Sequence, residues 1–480
     1  MRCNFVNGVI MAFDIQAFEE ASRSVENWLT DYFQTMPSRP VRSSAAPGDI
    51  RNQLPTSAPI SGEPFAKILS DFDALASVGV THWNHPRFFA YFPCSTSPVA
   101  LAADQLAAAL SQQGMLWQTS PFSTELEGRM IEWMTALLGL EKYGFSGVIN
   151  DSASTSTLSS ILMAREKITQ FGSRNVGLHA FPPLRIYVSP EAHSSIKKAA
   201  WLAGIGSENV VEVPTNEKDQ LDANQLDLQI AEDRERGFLP MMIVGAAGGT
   251  SVGAFDDFNA LADVAVAHDL FFHVDAAWAG VAAIADSLRQ PFDGWERADS
   301  VVLNPHKWLM TGMECSVFLL KDPALLTQTM SAMPSYLETH RDEPLVNYSE
   351  WTPQLGRSFR SLKLWFVLRY YGSRGLSEML LSHVRWAVDL CERLREVDGL
   401  SITTEPSLSL FSFAADTNER TLALLKRIND DGRIYLTQTT YRGRTVIRFV
   451  AGTVSTDAED VLLAGDVIEE IWAIVRKEDQ

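Results

Sequence analysis

The stretch Phe271-Phe272-His273-Val274-Asp275 decides the fold, because it is an apolar run without alternation that ends on a carboxylate. Such a run is typical of a strand that is covered on both faces. Helix-like segments separate it from further runs of the same kind, at residues 185–189, 241–246, 301–303 and 317–320. Short buried strands that alternate with helices predict an α/β fold with a mostly parallel central sheet flanked by helices.

Polar residues follow four of these runs, at the points where the strands would end. In chain order they are His193, Thr250, Asp275 and the group of Asn304, His306 and Lys307. The carboxyl ends of parallel strands meet at one edge of a sheet, and ligands bind beyond that edge. We therefore expect these side chains to form one site.

The remainder of the chain indicates three units. Residues 14–36 have the periodicity of an amphipathic helix, and six prolines between 37 and 64 predict extended chain after it. We expect an N-terminal helical arm over 1–97 that lies against another surface, such as a second subunit. The large α/β unit is predicted over 98–370, and a small α+β unit over 371–480, with strands at 411–413, 434–437 and 446–450.

The composition, with 46% hydrophobic and 21% charged residues in 480, is typical of a globular protein. A net charge of −19 disfavours nucleic acid and anionic membranes as partners, since phosphate binding needs clustered cations. The cysteines show neither metal-ligand nor redox spacing, so no metal is expected: they are Cys3, Cys94, Cys315 and Cys391. Because no apolar run is long enough for a membrane span and the start shows no signal-peptide pattern, we expect a cytoplasmic protein.

Lys307 and Asp275 indicate a particular chemistry. A lysine just past a buried strand is partly desolvated, which favours the neutral amine that forms a Schiff base with an aldehyde. A surface lysine after a strand is the ordinary explanation for Lys307 alone. Asp275 weakens that explanation, because a carboxylate at the end of an apolar strand needs a partner, and a protonated pyridine nitrogen would supply one. A lysine and an aspartate in these roles are typical of enzymes that use pyridoxal phosphate.

The segment Asp151-Ser152-Ala153-Ser154-Thr155 predicts the start of a helix. Its hydroxyls and free backbone N–H groups can form an anion site, although an ordinary serine-rich N-cap has the same pattern. His193 and Thr250 have a structural alternative as well, since a histidine or threonine after a strand often completes only a turn.

Four motifs occur together in chain order and resemble those of the aromatic-L-amino-acid decarboxylases, a branch of the group II pyridoxal-phosphate decarboxylases. The motifs are His85-Pro86-Arg87-Phe88-Phe89-Ala90-Tyr91-Phe92-Pro93, His273-Val274-Asp275-Ala276-Ala277-Trp278-Ala279-Gly280, Asn304-Pro305-His306-Lys307-Trp308 and Leu355-Gly356-Arg357-Ser358-Phe359-Arg360-Ser361-Leu362-Lys363. The resemblance implies a fold type I enzyme that is an obligate homodimer. It also implies a site at the subunit interface and an N-terminal arm that clasps the partner.

The resemblance further assigns roles to residues. Lys307 would bond to pyridoxal 5′-phosphate, Asp275 would hold its pyridinium, His193 would stack on the ring, and Tyr336 would return a proton. The remaining cofactor contacts would come from Ser152, Ala153, Ser154, Thr250, Ala277, Asn304 and His306. The substrate would contact His193 and a pocket made of Trp83, Tyr91, Phe92, Pro93, Cys94, Gly356 and, from the partner subunit, Met115.

An aromatic pocket predicts decarboxylation of an amino acid of the tryptophan, phenylalanine, tyrosine or dopa class. Related aldehyde synthases carry phenylalanine in place of Tyr336 or asparagine in place of His193, so the residues here favour a decarboxylase. Three alternatives stay open: an aldehyde synthase, a decarboxylase of a non-aromatic amino acid, and a catalytically silent binding protein.

Overall fold

The computed structural model describes residues 14–331 and 345–478, and Cys3 and Tyr336 lie outside these ranges. The strands of the described residues form two sheets. They are β1 (Ser146–Asn150), β2 (Leu184–Val188), β3 (Val210–Glu212), β4 (Leu239–Ala246), β5 (Phe271–Asp275), β6 (Ser300–Leu303), β7 (Ser316–Leu320), β8 (Leu400–Ser407), β9 (Leu410–Ala415), β10 (Thr437–Tyr441) and β11 (Arg444–Val450).

The α-helices precede, connect and cover these sheets. They are α1 (Ile15–Thr35), α2 (Phe65–Gly79), α3 (Pro98–Leu110), α4 (Pro121–Leu137), α5 (Ala153–Ile168), α6 (Ser173–Val176), α7 (Ser195–Leu202), α8 (Ala223–Glu235), α9 (Phe258–His268), α10 (Pro305–Trp308), α11 (Pro323–Met330), α12 (Ser361–Arg395), α13 (Asn418–Asp431) and α14 (Ala458–Glu478). Across the described residues, no helix combines the length and the apolar character that crossing a membrane requires.

The larger sheet has the strand order β1-β7-β6-β5-β4-β2-β3. Its neighbouring strands are parallel except at β7, which is antiparallel to both β1 and β6. This confirms the predicted α/β fold with a mostly parallel sheet. The connection from β6 to β7 covers residues 304–315 and contains only the four-residue helix α10.

The smaller sheet is antiparallel, with the order β10-β11-β9-β8. On one face, Ile447 and Phe449 pack in a core that α12, α13 and α14 complete. On the other face, Leu410 and Val450 join the core of the larger sheet. The helix α12 crosses the predicted boundary between the units at 370, and its backbone is non-helical at Gly372, where φ is 65°.

One predicted strand is wrong over most of its length. The strand β10 begins at Thr437, whereas residues 434–437 were expected to form a strand. Tyr435 instead makes an isolated bridge with Phe88. The apolar neighbours Ile434 and Leu436 are buried in the core of the smaller sheet without joining its ladder. The run is therefore apolar because it packs, not because it pairs.

The N-terminal helices have little core of their own. Neither α1 nor α2 contains a buried residue. They contact each other through Trp28, whose Nε1 donates to Asp73 Oδ1 at 2.7 Å and whose ring lies against Phe72. Apolar side chains such as Phe18 and Ile68 remain about half exposed.

A buried ion pair fixes the strand that leads into α5. Glu127 on α4 accepts the Ile149 N–H at 2.8 Å, and Arg357 donates to the Ile149 carbonyl at 2.9 Å. The two side chains bond to each other at 2.7 Å, and each is only 2% exposed. The Tyr348 ring lies 4.8 Å from the guanidinium. The pair thus satisfies both backbone groups of Ile149 at the end of β1.

Replacement of one partner should destabilise the protein strongly. In Glu127→Gln the Arg357 cation stays buried without a carboxylate, so we expect a loss of about 3 kcal/mol or more. The matched control is Glu132→Gln on the same helix, because its ion pair with Arg129 is 62% exposed on both sides. That control should change stability by no more than about 0.5 kcal/mol. Urea unfolding measures both, and equal midpoints for the two variants would contradict the role of the pair.

Candidate active site

The carboxyl ends of β2, β4, β5 and β6 meet at a cavity of about 230 Å³, beside the start of α5. All the residues that were predicted to contact the cofactor line it, and Phe92 does so too. They are Ser152, Ala153, Ser154, His193, Thr250, Asp275, Ala277, Asn304, His306 and Lys307. The strand-end pattern therefore brings together the side chains that it was expected to bring together.

Lys307 and Asp275 come from adjacent strands of this edge. Lys307 lies on α10 just after β6, and its N–H donates to the Asn304 carbonyl at 2.9 Å. Loss of water lowers the pKa of the Lys307 amine, while the Asp275 carboxylate acts in the opposite direction. The neutral, nucleophilic amine is thus reached at a lower pH than in a free lysine. Asp275 ends β5, where it accepts the Ala277 N–H at 3.1 Å.

The start of α5 and the residues after β6 form the polar end of the cavity. Ser152 caps the helix, and its hydroxyl accepts the Thr155 N–H at 3.4 Å. His306 Nδ1 accepts the Cys315 N–H at 3.0 Å, so the neutral ring carries its proton on Nε2. Burial lowers the pKa of His306 to about 3, which keeps the ring neutral. Such a set of N–H donors at a helix N-terminus suits a phosphate.

Asp151 is a like charge close to this anion-binding end, and its hydrogen bonds engage both of its oxygens. One oxygen accepts the Ser152 N–H at 2.9 Å. The other accepts the side-chain amide of Gln354 at 3.4 Å. These two contacts fix the orientation of the Asp151 carboxylate beside the α5 terminus.

His193 lies on the loop between β2 and α7. Its Nδ1 accepts the Ser195 N–H at 3.1 Å, which leaves Nε2 as the protonated nitrogen of the neutral ring. Partial burial lowers its pKa, so the ring is neutral at pH 7. On the neighbouring loop, Gly248 has φ +75°, and an added Cβ would lie 2.7 Å from the Ala279 side chain. Only glycine fits there, two residues before Thr250.

A stack of rings forms the apolar wall. Phe92 stacks on Trp278 with ring centres 4.4 Å apart, and Trp278 stacks on Trp308 at 5.2 Å. Trp308 Nε1 donates to His383 at 3.0 Å, which ties the stack to α12. The Lys307 amine lies 5.2 Å from the centre of the Phe92 ring. The amine therefore faces a flat, fixed aromatic surface.

Most residues that were predicted to contact the substrate do not line this cavity. They are Trp83, Tyr91, Pro93, Cys94, Met115 and Gly356. Trp83 and Tyr91 stack on each other at 5.8 Å and are about 40% exposed. Burial raises the pKa of the Cys94 thiol, and the nearby Lys307 charge opposes that rise. Tyr336 lies outside the described residues.

The cavity is also lined by residues that the sequence patterns did not single out as contacts: Ser195, Ala246, Gly248, Gly249 and Trp278. Each lies within four residues of a predicted contact. Their position at the strand ends was the signal that could have identified them.

The donor set fits pyridoxal 5′-phosphate. It offers a desolvated amine, a carboxylate at the end of the adjacent strand, and N–H donors for a phosphate. In addition, Asn304 Oδ1 is buried without a hydrogen-bond partner in the described part of the chain. A buried acceptor of this kind costs free energy unless a ligand or water completes it.

Comparison with known proteins agrees with this chemistry. The model of the family described as "Pyridoxal-dependent decarboxylase conserved domain" matches residues 47–416. Phenylacetaldehyde synthase of Petunia hybrida is 35% identical over 95% of this chain and 94% of its own length. Tyrosine decarboxylase 4 of Petroselinum crispum is 35% identical over 95% and 92%. The crystal structure of Oryza sativa TDC with PLP and tryptamine has a TM-score of 0.93, with 30% identity over 97% of this chain and 99% of that one. The chain is therefore a member of the pyridoxal-dependent decarboxylase family, with pyridoxal 5′-phosphate as its cofactor.

Proposed function

We propose that the protein removes the carboxyl group of an aromatic L-amino acid, giving the arylalkylamine and CO2. The observation that carries the proposal is the placement of Lys307 and Asp275 in one cavity beside the Phe92–Trp278 stack. A flat apolar wall suits an aromatic side chain, whereas an acidic or diamino substrate needs an opposite charge. Residues 91–94 carry no such charge.

Each end of the cavity has its own task in this mechanism. Bound pyridoxal phosphate supplies an electron-poor ring that accepts the electron pair released as CO2 leaves. Lys307 would hold the cofactor covalently through its amine, and Asp275 would keep a proton on the ring nitrogen. Ser152, Ser154 and His306 would hold the phosphate. His193, neutral with its proton on Nε2, is available as a hydrogen-bond donor beside the reacting groups.

The choice of a decarboxylase over an aldehyde synthase rests on Tyr336 and His193. By the family resemblance, Tyr336 protonates the α-carbon after CO2 has left, and phenylalanine at this position goes with oxidation instead. The aldehyde synthase is the second candidate, because phenylacetaldehyde synthases are among the relatives of similar identity. An aldehyde synthase would consume O2 and release ammonia and H2O2 together with the aldehyde.

We also propose that the protein is a cytoplasmic homodimer. The partner subunit would complete the site. The helices α1 and α2 bury none of their residues, so their apolar side chains lack a cover within one chain. Met115 does not line the cavity of its own chain. Its carbonyl accepts the Ser349 N–H at 3.0 Å, which holds Met115, on the loop between α3 and α4, against the segment that follows α11. A partner subunit would account for both observations.

A substrate panel tests the proposed reaction. We expect the holoenzyme to convert at least one of L-tryptophan, L-phenylalanine, L-tyrosine and L-dopa to amine and CO2 in equal amounts. L-Glutamate and L-lysine are the controls and should react at least about 100-fold more slowly, because their charges would be buried unpaired. Aldehyde with stoichiometric H2O2 as the main product would contradict the decarboxylase, and preference for a control would contradict the aromatic class.

Lys307 should be indispensable for turnover. Lys307→Ala removes the amine that bonds to the cofactor, and we expect activity to fall by at least about 100-fold. Cofactor should still bind, because the phosphate end of the cavity is untouched, and its absorbance band should shift. The control is Lys198→Ala, an exposed lysine on α7. Near-normal turnover by Lys307→Ala would refute the assignment.

Removal of the proposed proton donor, Tyr336, should change the product. In Tyr336→Phe the hydroxyl is lost while the ring remains, so we expect amine formation to fall and aldehyde with H2O2 to appear. Tyr370→Phe is the control, since Tyr370 is 70% exposed on α12. Unchanged amine yield from Tyr336→Phe would show that another group supplies the proton.

A further inference from the structure

The face of α5 that packs on the larger sheet carries hydroxyl groups where apolar side chains would be expected. Ser156 and Ser160 are four residues apart, so they lie on one face of the helix, and both are fully buried. Serine is less favourable in a helix than alanine or leucine, and a buried hydroxyl costs free energy unless it is hydrogen-bonded. The two serines therefore indicate that specific hydrogen bonds, and not apolar packing alone, hold α5 on the sheet.

His273 on β5 is the centre of a three-way hydrogen-bond cluster with one of these serines. Its Nδ1 lies 3.1 Å from the Ser160 hydroxyl and 2.9 Å from the Ser300 hydroxyl, and the two hydroxyls are 3.1 Å apart. All three residues are 0% exposed. Burial lowers the pKa of His273 to about 4, so the ring is neutral at pH 7. Its Nε2 makes no hydrogen bond within the described residues, so the ring acts through Nδ1.

The cluster joins the three elements that carry the cofactor-binding groups. Ser160 is on α5, whose start forms the anion-binding end of the cavity. Asp275 lies two residues after His273 on β5, so the two side chains are on the same face of the sheet. Ser300 begins β6, the strand that precedes Lys307. One imidazole thus ties the helix to both strands.

A second cluster holds α5 one turn closer to its start. Asn150, the last residue of β1, donates its side-chain amide to the Ser156 hydroxyl at 3.0 Å. The same hydroxyl lies 3.5 Å from that of Ser316 on β7. Hydrogen bonds are directional, whereas apolar contacts are not, so apolar packing alone would let the helix slide along its axis. The two clusters therefore fix α5 at one position on the sheet.

We propose that His273 is a positioning residue that sets the distance between the phosphate-binding start of α5 and the Lys307–Asp275 pair. The cofactor would contact the helix through its phosphate and the strands through its ring and aldehyde. A displaced helix therefore costs affinity only for a ligand that engages both ends. The inference rests on the phosphate site of the proposed function, and it does not depend on which amino acid is the substrate.

Titration of the full-length apoenzyme with two ligands tests the assignment. Pyridoxal 5′-phosphate engages both ends of the cavity, and pyridoxal lacks the phosphate. We expect His273→Leu to weaken pyridoxal 5′-phosphate by roughly 10- to 100-fold, as the loss of one or two hydrogen bonds would, and pyridoxal by no more than about threefold. His273→Asn should keep the wild-type affinities, because its amide can take the place of Nδ1 between the two hydroxyls. Absorbance of the bound ligand gives each dissociation constant.

The matched control is Tyr187→Phe, which removes another buried hydrogen bond between a strand and a helix. The Tyr187 hydroxyl on β2 donates to Asp233 on α8 at 3.0 Å. This variant should lower the melting temperature and leave both affinities unchanged. If His273→Leu fails to fold, Ser160→Ala combined with Ser300→Ala takes its place, because it removes both hydroxyls that Nδ1 contacts and should cause the same selective loss.

Three results would contradict the assignment of His273. They are wild-type affinity of His273→Leu for pyridoxal 5′-phosphate, an equal loss for both ligands, and a loss in His273→Asn as large as that in His273→Leu. If the wild type binds pyridoxal as tightly as pyridoxal 5′-phosphate, the phosphate site fails, and the inference fails with it. The proposed reaction is then judged separately, by the substrate panel.

Discussion

A desolvated amine beside a strand-end carboxylate is the interaction on which the site depends. Asp275 is the last residue of β5, and Lys307 follows the adjacent parallel strand β6. The register of the two strands places Asp275 opposite Val302. The sheet thus fixes both groups on rigid backbone rather than on flexible loops. Desolvation favours the neutral amine, and the nearby carboxylate opposes that effect, so the balance between them sets the reactivity of Lys307.

The cavity separates its charges by placing them on different elements. Neutral donors at the α5 terminus and His306 form the anion-binding end, while Asp275 supplies the negative group at the sheet edge. Arg448 approaches from the smaller sheet, on the side of the Phe92 ring. Because these groups come from both sheets, the packing between the two sheets determines the geometry of the whole site. The Glu127–Arg357 pair helps to keep that geometry by fixing β1 before α5.

The sequence predicts the parts that depend on local pattern. The unalternating runs of β4, β5 and β6 identify the central sheet, and the polar residues after them identify the cofactor end. By contrast, β1 begins with Ser146 and Gly147, which shortens its apolar run, and β8 is too polar to show a strand pattern. The burial of Arg448 beside the Phe92 ring results from contact between the two units, and no local sequence pattern indicates it. The Trp83 and Tyr91 pocket was expected from a motif alone, and a single chain does not bring it to the cavity.

Reduction of the holoenzyme with borohydride, followed by peptide mapping, identifies the lysine that bonds to the cofactor. Borohydride converts the bond between cofactor and lysine into a stable secondary amine, which marks the residue that formed it. We expect a pyridoxyl group on the peptide that contains Lys307 and on no other lysine. A label on a different side chain, or no label after saturation with pyridoxal phosphate, would contradict it.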